Sequence, residues 1–201
     1  SAAGRPLWVS GRTDGLGVLL GADGAPLASE FTRDPRLLQP HHREITRPEQ
    51  VQIYEERTAD QEGRLTTSFL GRFARVKDNR LLPLGFAPRA ADARHLQPVG
   101  LLGQPVYEGG RSVDEVRFLI PLTPALRGAA AVRATLYYQA LPPSYLADRF
   151  STGPGGQGAQ GPETQRLHLL LSAIDLSRLV NDWKLPLATT GAVALQDAIA
   201  P

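Results

Sequence analysis

Two adjacent histidines, His41 and His42, are the residues of this chain best suited to chemistry. Imidazole nitrogens can ligate haem iron, zinc or copper, or form a hydrogen bond with a bound group. The pair follows Gln39-Pro40, which predicts an extended loop because a residue before proline avoids the helical region. Neighbouring side chains of an extended segment point to opposite sides, so we expect one of the two to make a haem-iron or metal contact. The alternative is a polar surface loop without a ligand.

The run Lys77-Asp78-Asn79-Arg80 is the second concentration of polar side chains. Aspartate and asparagine favour turns because their side chains hydrogen-bond to nearby backbone. We therefore expect Asp78 to pair with Arg80 or Lys77 and to fix a corner of the chain. Charge clusters of this kind are usually solvated or local, which favours a structural role.

No other group of polar residues has the spacing of a known catalytic or metal site. Four carboxylates lack the D-x-D-x-D-G pattern of a calcium loop, and we expect them at the solvated end of a hairpin. These are Glu55, Glu56, Asp60 and Glu62. No serine lies in a G-x-S-x-G context, and His95 and His168 are expected at the surface. The sequence thus predicts no catalytic residues and leaves open whether the chain is an enzyme.

Three tyrosines, Tyr137, Tyr138 and Tyr145, could form an aromatic platform for a sugar. The alternation around them predicts that Tyr138 faces the core together with Leu136, whereas Tyr137 faces outwards. A single outward tyrosine is weak support for sugar binding.

Composition excludes several classes of protein. The basic residues are dispersed among acidic ones and the formal net charge is +2, so the basic stripe of a nucleic-acid-binding protein is absent from the sequence. No apolar run approaches the roughly 20 residues of a membrane span. The chain has no cysteine, and therefore no disulfide, no thiolate nucleophile and no CxxCH haem-attachment motif. It has no methionine either, so we expect a removed leader or a piece of a longer polypeptide.

The elements that must position the histidines are mostly strands. Alternation predicts strands over residues 51–56, 113–120, 132–139 and 183–187, and a turn at 60–63. The apolar residues of 66–76 fit either a helical face or a strand face, and we expect extended structure or a short bent element there. A helix is predicted over 163–176, because its leucines recur at helical spacing and Glu163 lies in the first turn.

These elements predict a mainly β fold. We expect an antiparallel β-sandwich over residues 49–201, preceded by an irregular N-terminal lead at 1–48 that packs on it. The domain would contain a flexible, glycine-rich loop at 151–162 and a C-terminal helix at 163–176. Twenty glycines and 17 prolines agree with a fold rich in turns.

Four segments together carry a resemblance to a known family: QPHHREITRPEQ, EQVQIYEE, LTTSFLGRFARVKDNRLLPLGF and VRATLYYQALPP. In this order they resemble the haem-free, β-rich C-terminal domain of bacterial multihaem c-type cytochromes of the cytochrome c554-like kind. The resemblance covers roughly residues 7–188. It implies an exported protein, periplasmic or extracellular, that takes part in electron transfer.

The resemblance also implies where the haem would be. Because the chain lacks CxxCH, no haem is attached to it covalently, and haem c is expected in an upstream segment or a partner chain. The chain would then be a haem-free accessory or assembly domain whose partner is a haem-bearing cytochrome domain or subunit, and oligomers are compatible with that role. We expect neither nucleic acid nor a transmembrane segment. The alternatives are a secreted carbohydrate- or surface-binding β-sandwich module and a metal-dependent enzyme that uses His41 or His42.

Overall fold

The structure is a computed structural model that describes residues 4–87, 90–91, 93–101, 113–151, 161–175 and 183–195. The strands in this part of the chain are β1 (Glu44–Ile45), β2 (Glu56–Ala59), β3 (Leu65–Thr66), β4 (Ala74–Asp78), β5 (Arg117–Phe118), β6 (Ala131–Val132), β7 (Thr135–Tyr138), β8 (Leu185–Thr189) and β9 (Val193–Ala194). The α-helices are α1 (Ala93–Leu96), α2 (Pro143–Phe150) and α3 (Pro162–Ser172). Single 3-10 turns lie at Pro35–Leu37 and Pro124–Leu126.

The best-defined sheet has three antiparallel strands in the order β3-β2-β4. The turn between β2 and β3 is the one predicted at 60–63. Gly63 adopts a φ of 77°, and the Asp60 carboxylate accepts hydrogen bonds from the amides of Glu62 and Arg64. Residues 66–76 are extended at both ends with a bend between, because β3 and β4 lie on either side of β2.

The strand predicted over 51–56 is wrong for all but its last residue, since β2 begins at Glu56. In residues 51–55, backbone groups that would bond a neighbouring strand form hydrogen bonds with side chains instead. The Val51 amide donates to the Gln39 side chain, and the Glu55 amide donates to the Asn79 side chain. The Ile53 carbonyl accepts from the Asn79 side chain. This segment alternates like a strand but is fixed by polar side chains.

The short strands β1 and β5 form a parallel pair, in contrast to the antiparallel arrangement predicted. The Arg117 amide donates to the Arg43 carbonyl and the Leu119 amide to the Ile45 carbonyl, both over 2.9 Å. Ile45 is fully buried, whereas Phe118 and Leu119 are about half exposed. The strand predicted at 113–120 is therefore shorter than expected, and its apolar side chains do not face a core.

The last strands form a two-stranded ribbon, here called the C-terminal ribbon (residues 130–139 and 183–195). β7 pairs with β8 and β6 with β9, both antiparallel. Thr190 joins the two ladders: its amide donates to the Ala134 carbonyl, and its hydroxyl accepts from the Ala134 amide. The strand predicted at 132–139 is present as two short strands, β6 and β7, with residues 133–134 between them, and the one predicted at 183–187 begins at Leu185.

The helical prediction is confirmed for α3, which ends at Ser172, four residues before the predicted end. Helix α2 was not predicted, although Pro143 at its first position is a typical start signal. α2 is tied to the loop after β3, because Asp148 accepts from the amide and hydroxyl of Thr67 and Arg149 donates to the Thr67 carbonyl. Most of the predicted flexible loop, residues 152–160, lies outside the described residues.

Burial divides the described chain unevenly. All buried residues of the described chain lie between Gly17 and Leu101, and none of the described apolar residues in 113–195 is buried. The apolar core is small; for example, Leu82 and Leu101 pack together with Phe86 against them. The described strands thus form small, mostly antiparallel sheets with few helices, which agrees with a mainly β fold. In this part of the chain no helix is both long and apolar enough to cross a membrane.

Candidate functional site

The most unusual site of the described structure is a group of five polar side chains, here called the His41 cluster. Its members are His41, Gln52, Tyr54, Asn79 and Asp114. The His41 and Asp114 side chains are only 1% and 4% exposed, and Asn79 is 0% exposed. Burying a polar group costs free energy unless the group has a hydrogen-bonding or ionic partner. The contacts within this cluster are therefore needed to stabilise the fold.

Hydrogen bonds to backbone fix the two amides of the cluster. The Gln52 side-chain oxygen accepts from the His42 amide over 2.8 Å. The Asn79 oxygen accepts from the Glu55 amide over 2.9 Å, and its nitrogen donates to the Ile53 carbonyl over 2.8 Å. The nitrogen of each amide, and not its oxygen, therefore faces the His41 ring.

These amides determine the tautomer of His41. The Nδ1 atom lies 2.8 Å from the Gln52 nitrogen and 3.2 Å from the Asn79 nitrogen, both of which can only donate. Nδ1 is therefore the acceptor, and the ring proton is on Nε2. The Nε2 atom faces Asp114 Oδ1 at 3.4 Å. His41 is thus a neutral imidazole whose N–H points at a carboxylate.

Asp114 connects this cluster to the start of β5. The Tyr54 hydroxyl donates to Asp114 Oδ2 over 2.5 Å, and Gln52 Nε2 approaches the same oxygen at 3.4 Å. Burial and the neighbouring carboxylate raise the pKa of Tyr54 far above its usual value, so its hydroxyl stays protonated. The carboxylate therefore accepts hydrogen bonds from Tyr54 and Gln52 and is in electrostatic contact with the His41 ring.

A buried ion pair lies against the cluster. Lys77 Nζ is 2.9 Å from Glu55 Oε1 and donates to the Ile53 carbonyl over 3.1 Å. Burial lowers the pKa of the Lys77 ammonium, and the charge of Glu55 opposes that shift. The ammonium also disfavours a second positive charge on the neighbouring histidines.

Burial lowers the pKa of both histidines. For His41 the carboxylate of Asp114 opposes the shift, while Lys77 and Arg43 add to it. For His42 burial is again the main cause, followed by the charge of Lys77. The His42 Nε2 atom lies 3.0 Å from the Gln39 side-chain oxygen. Both rings are therefore in the interior, which makes the surface-loop alternative wrong.

The chemistry open to this cluster is limited. A histidine–carboxylate pair can act in proton transfer only where the ring reaches a substrate, and here both ring nitrogens face protein groups. The described residues contain no group of three side chains that could hold a metal ion. A depression of about 360 Å³ lies beside turn 21–28 and Glu49, and no member of the cluster lines it. That His41 or His42 contacts a haem or a metal stays a prediction.

The run 77–80 has the expected corner, with one difference. Asp78 pairs with Arg80 at 2.8 Å, as predicted, and also with Arg75 at 3.0 Å. Lys77 pairs with Glu55 instead of Asp78. The run is also buried at Lys77, Asp78 and Asn79, contrary to the expected solvated corner.

The four carboxylates near the hairpin are paired with cations in the structure. Arg57 and Lys77 bond Glu55, Arg80 bonds Glu56, and Arg64 bonds Asp60 and Glu62. Each of these carboxylates thus has a cationic side chain as its partner.

The three tyrosines do not share a surface. Tyr138 was expected in the core with Leu136, but both side chains are about half exposed. Tyr137 is on the opposite face of β7, where Lys184 Nζ lies 4.6 Å from its ring centre. Tyr145 is on α2 with Arg149 over its ring. A flat aromatic platform for a sugar is therefore not formed by these residues.

Gln52, Tyr54 and Asp114 were not predicted as members of a site. Tyr54 and Asp114 are 60 positions apart, and neither lies in a recognisable motif. Among the non-histidine members of the cluster, only Asn79 lies in a segment that the sequence pattern had singled out for its polar residues, and that pattern indicated a turn at the surface.

The fold and site together define a strand-rich domain whose polar centre is enclosed. No family model, no curated protein and no solved structure matches this chain. The functional argument therefore rests on the chain's own residues.

Proposed function

We propose that this chain is a haem-free accessory domain of an exported multihaem c-type cytochrome, and that it packs against a haem-bearing domain or subunit. One observation carries the proposal: none of the described apolar residues in 113–195 is buried, although this half is rich in large apolar side chains. The resemblance of four sequence segments to the β-rich domain of such cytochromes supplies the kind of partner.

The described residues of 113–195 expose too many apolar side chains to be stable on their own. Burial of apolar surface is the main favourable contribution to folding, and a two-stranded ribbon alone is marginal in water. Yet the C-terminal ribbon is exposed along both strands, and Leu169 and Leu170 of α3 are more than half exposed. A partner surface would supply the missing burial.

The N-terminal half supports an architectural role. The His41 cluster joins the segments around residues 41, 52–54, 79 and 114, and its polar atoms face one another. Such a network holds loops in place and has no access to a substrate. We propose that the β-sandwich is completed when the partner adds a layer to the small sheets of this chain.

The cofactor and the location follow from the same proposal. Haem c would be attached to CxxCH motifs in the partner segment or chain, where it carries out electron transfer. Covalent haem attachment of this kind belongs to exported proteins, so the complex would be periplasmic or extracellular.

The test is purification of the native protein from its host under mild conditions. We expect the chain to co-purify with, or be continuous with, a polypeptide that stains for covalent haem and gives a Soret band. Cell fractionation should place both in the exported fraction. A colourless chain that purifies as a folded monomer would refute the proposal, and glycan binding by that monomer would favour the carbohydrate-binding alternative.

A further inference from the structure

The loop between β3 and β4 carries three of the four most exposed large apolar side chains among the described residues. We call it the Phe69 loop (residues 67–73). Phe69 and Phe73 are 72% and 71% exposed, and Leu70 is fully exposed at 101%. Single exposed apolar residues are ordinary, whereas several grouped on one short loop are typical of a surface that meets a membrane or another protein.

Both ends of the Phe69 loop are fixed to neighbouring elements. The Asp148 carboxylate of α2 accepts hydrogen bonds from the amide and the hydroxyl of Thr67. Arg149, also on α2, donates to the Thr67 carbonyl over 2.6 Å. At the other end, the Phe73 amide donates to the Ala59 carbonyl of β2 over 2.7 Å. A loop held in this way loses little conformational entropy when its tip enters another surface.

The backbone donors of this loop are largely satisfied within the chain. The Ser68 amide donates to the Thr66 hydroxyl, and the Ser68 hydroxyl accepts from the Gly71 amide, both over 3.1 Å. The amides of Thr67 and Phe73 are bonded as described above. An unpaired backbone donor is costly in a bilayer, whereas a protein interface can satisfy it with partner groups or water. The internal bonding therefore favours a lipid surface over a protein surface.

The charge of the loop also fits a lipid surface. Residues 63–77 contain no aspartate or glutamate. The Arg72 guanidinium lies 5.4 Å from the centre of the Phe69 ring and forms no ion pair within the described part of the chain. The carboxylates of the adjoining turn, Asp60 and Glu62, are already paired with an arginine. A guanidinium in this position can bind lipid phosphates while the ring beside it enters the acyl region.

We propose that the Phe69 loop inserts into the surface of a lipid bilayer that contains anionic lipids. Its three large apolar side chains lie among the upper acyl chains, and Arg72 lies at the level of the phosphates. The proposal goes beyond the proposed function and needs no haem-bearing partner. Three apolar side chains and one cation give reversible binding, which is far weaker than that of a membrane-spanning helix.

Leu70 and Leu84 provide a matched test, since both leucines are highly exposed, at 101% and 82%, and only Leu70 lies in the Phe69 loop. The chain has no cysteine, so Leu70→Cys and Leu84→Cys can each be labelled at one position with the environment-sensitive dye nitrobenzoxadiazole. The labelled full chain is mixed with vesicles of phosphatidylcholine and phosphatidylglycerol. We expect a blue shift and brighter emission at position 70 and neither at position 84. Equal responses at the two positions, or none at position 70, would overturn the proposal.

Co-sedimentation with the same vesicles measures the contribution of each side chain. Leu70→Ser should weaken binding by at least about 10-fold, because the leucine no longer buries its apolar surface in lipid. Leu84→Ser should change the affinity by less than about 2-fold. Equal losses in two variants that circular dichroism shows to be folded would contradict insertion through this loop. Arg72→Gln should weaken binding about 5-fold with phosphatidylglycerol present and by less than about 2-fold on phosphatidylcholine alone, and equal effects would overturn the contact with anionic lipid.

Three other outcomes would overturn the proposal by identifying a different contact. A dye response at position 70 that depends on protein concentration, without vesicles, would mean that the loop meets a second copy of this chain. A response to a co-purified polypeptide and none to vesicles would make the loop a protein contact. A larger vesicle response from dye on Leu136→Cys than from position 70 would show that lipid binds the exposed ribbon instead. None of these outcomes tests whether a haem protein co-purifies, so the proposed function succeeds or fails separately.

Discussion

Asn79 is a single side chain that connects three parts of the N-terminal half. It accepts from the Glu55 amide and donates to both the Ile53 carbonyl and His41 Nδ1, without any contact with solvent. A side chain that satisfies buried backbone groups cannot be replaced by an apolar one without leaving those groups unpaired.

We therefore expect Asn79→Ala to lower the free energy of unfolding by about 2 kcal/mol, mainly because the buried Glu55 amide loses its acceptor. Urea denaturation followed by circular dichroism would measure this. Gln61→Ala, in the exposed turn after β2, is the control and should change the stability by less than about 0.5 kcal/mol. A loss at Asn79 no larger than the control would contradict the role of this side chain.

The lowered pKa values of His41 and His42 determine how these two residues make the free energy of unfolding depend on pH. Their pKa values are lowered by burial, so the unfolded chain binds protons more readily than the folded one. The stability they contribute is present above the unfolded pKa, near 6.5, and is lost as the pH falls from there towards the folded pKa. For His41, burial is the main cause of the lowered pKa; the charge of Asp114 opposes it, and the charges of Lys77 and Arg43 add to it.

When denaturation is measured between pH 7.5 and 5, the free energy of unfolding should become smaller as the pH is lowered. His41→Gln should reduce that slope, because one of the titrating rings is removed. Gln61→Ala, which removes no titrating group from the exposed turn after β2, should leave the slope unchanged. A steeper slope in His41→Gln than in the unmodified chain would show that the sign is wrong.

At the scale of elements, the pairing of β1 with β5 depends on the His41 cluster. Asp114 lies three residues before β5, and Tyr54 donates to it over 2.5 Å. β1 and β5 are only two residues long, so their own ladder is weak. The buried carboxylate and its donors hold this pair together.

Tyr54→Phe removes the hydroxyl and leaves the ring in place. We expect the Arg117 and Leu119 amides, which donate to the Arg43 and Ile45 carbonyls, to exchange hydrogen roughly 30-fold faster, equivalent to a loss of about 2 kcal/mol. Amides of β4 should be unaffected. Tyr137→Phe, which also loses only a hydroxyl, is the matched control. Unchanged exchange at Arg117 in Tyr54→Phe would contradict this coupling.

The comparison of elements with their predictions shows where sequence patterns are sufficient. The turn at 60–63 depends on Asp60 and Gly63 within the turn itself, so it was predictable from local residues. The ribbon strand at 132–139 alternates clearly and was also predicted. The segment 51–55 alternates in the same way, but its backbone is bonded by Gln39 and Asn79 from elsewhere in the chain.

The His41 cluster was predictable only at the histidines. Its other members are ordinary residues whose roles depend on tertiary contacts, such as the one between Tyr54 and Asp114. The burial of Lys77–Asn79 also depends on tertiary contacts and was not predicted, because charged residues in a turn motif are normally exposed to solvent. Alternation predicted which face of β7 is apolar, but it did not predict whether this chain covers that face.

At the scale of the whole molecule, the two halves should differ in stability. The residues between Val18 and Leu101 include the buried core, whereas the C-terminal ribbon has none of its described residues buried. Local stability follows the amount of buried apolar contact, so the ribbon is expected to open more easily than the β3-β2-β4 sheet.

Native-state hydrogen exchange on the isolated chain tests this difference. Amides in peptides from 131–139 and 185–195 should exchange at least about 10-fold faster than those from 56–59 and 74–78. If the proposed partner covers the ribbon, adding it should slow exchange in the ribbon and leave the sheet nearly unchanged. Equal protection of both regions in the isolated chain would show that the ribbon has sufficient support without a partner.

The parallel pairing of β1 with β5 also has a consequence for the order in which the chain folds. Glu44 pairs with Arg117, so the loop between them must close over the whole three-stranded sheet, and closing long loops makes folding slow. The β2–β3 hairpin closes a loop of a few residues and can form early. Protection of the Leu119 amide should therefore appear after protection of β4 during refolding. A chain interrupted before residue 117 would leave the buried Ile45 without its neighbouring strand.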